Sequence, residues 1–204
     1  MSLLTISGSP SLNSRSARLL DHAGARLRKL GHETERLAVR ELPAEALLHA
    51  RFEHPQIVEA SAQVSRAAAV VIATPVYKAA YSGLLKSFLD LLPQDGLKGK
   101  VVLPLATGGS KAHLLALDYA LRPVLAALGA RYVLASVYAT DAEIGTDGDG
   151  SVLLSPELDL RLEEGLAHLD ETLARLQVPF FGAASDEGAG RFVRGNAPLQ
   201  LARA

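Results

Sequence analysis

Two runs of the chain, 69–74 (Ala-Val-Val-Ile-Ala-Thr) and 101–106 (Val-Val-Leu-Pro-Leu-Ala), are apolar almost throughout and lack polar–apolar alternation. A strand of this kind is stable when both of its faces are covered, the condition of a central strand in a parallel sheet. Strand candidates at 2–7, 34–39 and 131–138 bring the number to five. Helical spacing fills the intervals. In 14–30, Leu19, Leu20, Ala23, Leu27 and Leu30 share one face and Gly31 is a natural stop. In 157–176, Leu158, Leu162, Leu166, Leu169, Leu173 and Leu176 step by three or four, with Ser155 as cap and Pro156 as first helical residue. Strands alternating with helices give an α/β class: a flavodoxin-like doubly wound five-stranded parallel sheet with helices on both faces, in the order 2-1-3-4-5.

The chain has 204 residues, 49% of them hydrophobic and 21% charged, enough for one well-buried α/β core and short for two. Residues 1–176 therefore read as a single domain and 177–204, with Gly182, Gly188, Gly190 and Gly195, as a mobile C-terminal tail. Residues 41–56, holding Pro43, His49, Arg51, Phe52, His54 and Pro55, read as a surface excursion. The net charge of -1 supplies no field for gripping nucleic acid or an anionic membrane, which favours a small ligand or a protein partner. The absence of cysteine excludes disulfides, thiolate metal sites and a cysteine nucleophile, and suits a reducing cytoplasm. No secretory signal pattern stands at the N-terminus. The most apolar region, 112–128, is broken by His113, Asp118, Arg122 and Pro123, so no membrane span is expected and the localisation expected is cytoplasmic.

Ligands of open α/β sheets bind beyond the carboxyl ends of the strands, near the point where strand order reverses. The loops after the first, third and fourth strands are thus the places to seek a site. The first reads Gly-Ser-Pro-Ser-Leu-Asn-Ser-Arg-Ser over 8–16. Glycine and serine before a helix start, with Arg15 as a planar cation, outline a phosphate cradle; a turn with an ordinary serine N-cap reads equally well. The third strand runs into Thr74-Pro75-Val76-Tyr77-Lys78-Ala79-Ala80-Tyr81-Ser82-Gly83, and the fourth into Thr107-Gly108-Gly109-Ser110-Lys111. All three are rich in small or hydroxyl side chains, on one expected edge. They suit a flat aromatic ligand that carries a phosphate, with Tyr77 or Tyr81 against the ring or merely covering helix ends.

Other signals carry less. The six histidines (22, 32, 49, 54, 113 and 168) lack metal-ligand spacing. Asp147-Gly148-Asp149-Gly150-Ser151 begins like a calcium loop, yet the twelfth position is Leu158 where a bidentate glutamate is needed, so it reads as a turn. Neither a Walker phosphate loop nor Gly-x-Gly-x-x-Gly is present.

Together, Gly8-Ser9 with Ser14-Arg15-Ser16, the run 74–83 with Lys86, and Thr107-Gly108-Gly109 resemble the NADPH-dependent FMN reductase family. The resemblance is greatest to the FMN reductases of two-component alkanesulfonate monooxygenase systems, and it extends through 47–52, 99–106 and 113–121. It covers most of 3–142; the loop near Gly145 and the tail diverge. It implies that FMN binds at the three loops, takes hydride from NADPH or NADH, and leaves reduced for a partner flavin-dependent monooxygenase. By position, Ser9, Ser14, Arg15 and Ser16 would hold the phosphate, Pro75, Val76, Tyr77 and Lys78 would line the ring, and Thr107, Gly108 and Gly109 would meet its other edge. Hydride transfer to a flavin needs no acid–base side chain, so no catalytic residue is expected.

Residues 112–128 place Leu114, Leu115, Leu117, Tyr119, Leu121, Val124, Leu125 and Leu128 all round a helix, a pattern of burial either within one chain or against another subunit. Tyr119 matches a tyrosine that, in the resembled reductases, lies in a π-bulge at a tetramer interface. The resemblance thus implies a homo-oligomer, tetramer or dimer, with Tyr119 tuning flavin exchange. Two alternatives remain open: an FMN-retaining quinone or azo reductase, and a non-enzymatic flavodoxin-like electron carrier.

Overall fold

A computed structural model describes residues 2–148 and 152–177 of the chain. Strand β1 (Ser2–Ser7) leads into α1 (Arg15–Lys29) and β2 (Glu33–Ala38). Helices α2 (Ala44–Leu48) and α3 (Pro55–Arg66) precede β3 (Ala69–Tyr77), which folds back on the short β4 (Ala80–Tyr81). Helix α4 (Gly83–Leu89) is followed by β5 (Val101–Gly108) and by a π-helical segment, Leu117–Leu121, continuous with α5 (Arg122–Ala127). The chain then forms β6 (Tyr132–Val133), β7 (Val137–Thr140), the hairpin of β8 (Ile144–Thr146) and β9 (Val152–Leu154), and α6 (Pro156–Gln177).

The sheet runs β2-β1-β3-β5, with β6 and then β7 along the outer side of β5, and all of these pairings are parallel. This is the expected flavodoxin-like order, with the fifth strand in two pieces. Alternation within the strands divides the core. Leu3, Ala69, Val71, Val101 and Leu103 meet α1 and α6 on one face, through Leu19, Leu20, Leu162 and Leu166. Leu4, Ile6, Val70, Ile72 and Val102 meet the other helices on the opposite face, through Ile57, Phe88, Leu117 and Leu121. Burial on both sides explains the uniformly apolar sequence of β3 and β5. Each fully buried Leu or Ile is worth roughly 1.5–3 kcal/mol over exposure, which makes the two-sided cover the main source of stability.

The structure corrects two expectations. The fifth strand, expected to be continuous over 131–138, is broken: β5 pairs with β6 at Val101–Val102 and with β7 only from Leu105 onward. Pro104 falls in the gap; it has no N–H to give, so a continuous ladder cannot pass it. The Arg122 guanidinium meets the displaced chain instead, donating to the carbonyls of Val133 (3.0 Å) and Leu134 (3.1 Å). Second, 41–56 is more than an excursion, since α2 sends Ala46 and Leu47 into the core. Within one chain the apolar surround of 112–128 divides, with Leu117, Leu121 and Leu125 inside and Leu114, Leu115 and Tyr119 exposed. Apart from Gln177, which ends α6, the expected tail of 177–204 lies outside the described residues, as do Asp149, Gly150 and Ser151.

Candidate active site

At the carboxyl edge of the sheet, the loops after β1, β3 and β5 and the end of β7 enclose a cleft of 260 Å³. Its lining includes Ser9, Ser14, Arg15, Pro75, Val76, Tyr77, Thr107, Gly108 and Gly109 from the sequence reading. Side chains of Arg15 and Tyr77 stand about half exposed, so the cleft opens to solvent.

The β1 loop closes into α1 through Ser14, whose hydroxyl accepts from the Ala17 N–H at 3.4 Å and shares a 2.7 Å hydrogen bond with the Ser16 hydroxyl. Arg15, the first residue of α1, sits where the helix carries the equivalent of about half a positive charge. Ser9 is buried, and its hydroxyl accepts from the Ser11 N–H at 3.2 Å. The loop is then tied to its neighbours. Gly8 donates its N–H to the Ala73 carbonyl at 2.8 Å, and the Ser82 hydroxyl donates to the Gly8 carbonyl while capping α4. A side chain on Gly8 would have its Cβ 2.8 Å from the Leu85 Cβ, so only glycine lets β1 run this close to α4.

Strand β3 continues to Tyr77, beyond the apolar run, and turns back at Lys78 and Ala79, both in the left-handed region (φ of 50° and 63°). Two positive φ values in a row make the twisted two-residue turn that suits a hairpin, at a cost of about 1 kcal/mol or more for each residue with a Cβ. The hairpin presents Tyr77 to the cleft and pairs Tyr81 with Val76, so that Tyr81 packs on the core. Inside the turn, the Thr74 hydroxyl accepts from the Ser82 N–H at 3.0 Å.

Gly108 continues the floor beneath Tyr138, whose hydroxyl donates to the Ser110 carbonyl at 2.7 Å. Burial first, and then the Asp141 carboxylate, push the Tyr138 phenol up, so it remains a donor at neutral pH. Among the described residues, no atom other than its own chain neighbours comes within 4 Å of where a Cβ on Gly109 would stand, so the rim there is open.

Two residues proposed from the sequence stand apart from the cleft lining. Ser16 is fully buried on the inner face of α1 and reaches the site only through Ser14. Lys78 is carried to the hairpin tip, because β3 and β4 pair up to Tyr77 and Ala80. Conversely, the lining includes Ser11, Asn13 and Asp141, which the sequence reading passed over. Ser11 and Asn13 lie within the serine-rich loop itself. Asp141 follows the fifth strand, and the rule that points to strand carboxyl ends would have reached it had that loop been searched.

Asp141 closes the cleft electrostatically: its Oδ2 lies 3.3 Å from the Arg15 guanidinium. Its backbone is fixed by a capping box. Glu143 accepts from both the N–H and the hydroxyl of Thr140 at 2.7 Å, and from Arg161 at 2.5 Å. Burial acts to raise the Glu143 carboxyl, but the Thr140 hydrogen bonds and the charges of Arg161 and Lys111 outweigh it and hold it low.

A larger groove of 480 Å³, between the C-terminal end of α1 and α6, lies at the opposite edge of the sheet and is lined by Arg26, Lys29, Glu163 and Asp170 among others. Two of the histidines have structural partners: His54 caps α3 through Nδ1, and His32 meets Asp170 at 2.8 Å. No group of three or more His, Cys, Asp or Glu is placed to hold a metal ion among the described residues, and no helix there is long and apolar enough to cross a membrane.

The model of the NADPH-dependent FMN reductase family matches residues 1–144. The chain is 46% identical over 181 residues to an FMN reductase (NADPH) of Escherichia coli, covering 88% of this chain and 94% of that protein. It is 45% identical over 180 residues to an FMN reductase (NADPH) of Pseudomonas putida, with 88% and 91% covered. Among solved structures, the apo form of an NADH:FMN oxidoreductase, EMOB, superposes with a TM-score of 0.76 at 40% identity, covering 84% of this chain and 89% of that one.

Proposed function

The chain belongs to the NADPH-dependent FMN reductase family, and from that premise we propose that its cleft holds FMN while a reduced nicotinamide, NADPH or NADH, delivers hydride, and that reduced FMN then leaves for a partner flavin-dependent monooxygenase. The protein is an oxidoreductase. One observation carries the assignment of the site: the three hydroxyl- and glycine-rich loops meet in a single cleft at the carboxyl edge of the sheet.

The lining fits the group. A phosphate monoester calls for N–H and hydroxyl donors and a cation, and the start of α1 offers its N–H groups, Ser9, Ser14 and Arg15 together. A planar ring calls for flat apolar walls with backbone polar groups at the edge, and Pro75, Val76 and Tyr77 line the cleft beside Thr107, Gly108 and Gly109, with Pro75 and Thr107 partners on adjacent strands. When bound, FMN supplies the hydride-accepting ring nitrogen. The residues bind and orient: the α1 start fixes the phosphate end, and the hairpin at Lys78 and Ala79 holds Tyr77 at the outer side. Among the described residues, the open space beside Gly109 is where a second planar group would approach. No side chain is asked to move a proton, so the rate comes from position and electrostatics. The relatives' names divide between the two nicotinamides, NADPH for the Escherichia coli and Pseudomonas putida proteins and NADH for EMOB.

Reduced FMN that serves a second enzyme must leave, and the same proposal gives Tyr119 a part in that exchange within a homo-oligomer, a tetramer on the family pattern. Two features support it: Tyr119 lies in the π-helical segment Leu117–Leu121 and is 78% exposed.

The test is anaerobic. Purified protein is mixed with NADPH or NADH, and loss of nicotinamide absorbance is followed with and without added FMN. Oxidation in step with added FMN, with reduced flavin recovered in the filtrate of an ultrafiltration cell, is the expected result. FMN binding without nicotinamide oxidation would overturn it in favour of an electron carrier. Flavin that stays with the protein and turns over quinones would overturn the release step.

A further inference from the structure

Resting on the reading of this cleft as an FMN site, we propose that Asp141 competes with the flavin phosphate for Arg15, and so sets how loosely phosphorylated flavin is held relative to flavin without a phosphate. Arg15 and Asp141 line the same cleft, 3.3 Å apart, with side chains 50% and 45% exposed. An ion pair this exposed is weak and exchangeable, so an incoming anion can displace the carboxylate from the guanidinium. The backbone that carries the carboxylate cannot withdraw far. Thr140 and Glu143 lock the turn on either side of it, Arg161 clamps Glu143, and the Ser155 N–H donates to the Glu143 carbonyl at 2.9 Å. The next arginine along α1 gives no relief, because Arg18 donates to the Thr146 hydroxyl at 2.7 Å.

The charge count then favours weak retention. A phosphate monoester carries roughly -1.5 to -2 at neutral pH, whereas Arg15 and Asp141 together sum to zero. The phosphate is left with neutral donors, the partial charge of the α1 start, and a guanidinium whose field a fixed carboxylate opposes. A flavin that lacks the phosphate, riboflavin, has no charge to be repelled, and the Asp141 oxygens can accept from its chain hydroxyls. Asp141 thus penalises one flavin and not the other. This suits an enzyme whose reduced product has to depart.

The measurement is the dissociation constant of FMN and of riboflavin, read by flavin fluorescence on the whole protein, for wild type, Asp141→Asn and Asp141→Glu. Asparagine keeps the size and leaves the Thr140–Glu143 cap untouched. FMN binding is expected to tighten about fivefold or more in Asp141→Asn, riboflavin to change by less than about twofold, and Asp141→Glu to stay near wild type. The FMN gain should shrink as salt is raised, because half-exposed charges are screened. Weaker FMN binding in Asp141→Asn would show that the carboxylate orients Arg15 for the phosphate and would overturn the inference. Equal tightening of both flavins, or none, would overturn it too. Failure of the wild-type protein to bind either flavin overturns this inference together with the reading it rests on, and the wild-type titration alone tells that failure from the others.

Discussion

Ser82 joins parts of the site that lie far apart in the sequence. Its hydroxyl accepts from the Leu85 N–H at 3.1 Å and donates to the Gly8 carbonyl, while its own N–H donates to the Thr74 hydroxyl. The residue is 2% exposed, so water cannot stand in for what is lost. Ser82→Ala removes a helix cap worth about 1 kcal/mol and strands a buried carbonyl at a further 1–3 kcal/mol. A loss of about 2–4 kcal/mol is expected by urea denaturation, with FMN bound more weakly because the β1 loop is released. A change below about 0.5 kcal/mol would show that the two loops are held by other contacts. At this scale much was legible: Ser9, Ser14 and Arg15 stand out as hydroxyls and a cation between a strand and a helix. Lys78 was not. A run such as Tyr77-Lys78-Ala79-Ala80 has no glycine or asparagine to mark a left-handed turn, so nothing in it announces that Lys78 leaves the cleft at a hairpin tip.

Between elements, the pairing of α1 with α6 is built partly on charge. Arg26 meets Asp159 at 2.8 Å, and His22 lies beside them with its Nε2 buried, 3.7 Å from the same carboxylate. Burial first, then the cations of Arg26 and Lys29, lower the His22 pKa from 6.5 against the opposing pull of Asp159. Below 6.5 the unfolded chain takes up a proton that the folded chain resists, so stability falls with pH through that window. The penalty is complete once the pH is under the folded pKa. His22→Phe, which cannot charge, is expected to flatten this part of the stability curve, as measured by urea denaturation just below neutrality. An unchanged slope would assign the acid sensitivity to other groups. Both helices were legible from leucine spacing, to within a residue or two at each end. Which polar residues of α1 would meet which of α6 was not, because periodicity marks the apolar face and says little about the rim. The break in the fifth strand was hidden for a related reason. Its cause, Pro104, sits on the neighbouring strand, and only pairing brings the two together.

For the whole molecule, the question left by the sequence is what the apolar surround of 112–128 is for. Leu117, Leu121 and Leu125 face the core, which leaves Leu114, Leu115 and Tyr119 at 47%, 56% and 78% exposure on the opposite side. The π-helical turn is part of that arrangement. One extra residue in the turn rotates the next stretch of helix about its axis, so a helix with apolar residues on every side divides them between the core and the surface. Exposed large apolar groups in one segment are costly in an isolated chain, and a second copy of the same chain is the partner that would cover them symmetrically. On that argument association through this face, with Tyr119 within the contact, is the expected outcome. Sedimentation of wild-type protein should give a mass above that of one chain, and Tyr119→Ala should shift it towards smaller species. The same variant should alter how much FMN stays with the protein after gel filtration, since the segment comes soon after the loop that carries Gly108 and Gly109. The choice of flavin separates this effect from that of Asp141, whose replacement is expected to act on FMN and not on riboflavin. A Tyr119→Ala protein with wild-type mass, FMN retention and turnover would leave the exposed face as surface and remove the coupling between assembly and flavin exchange.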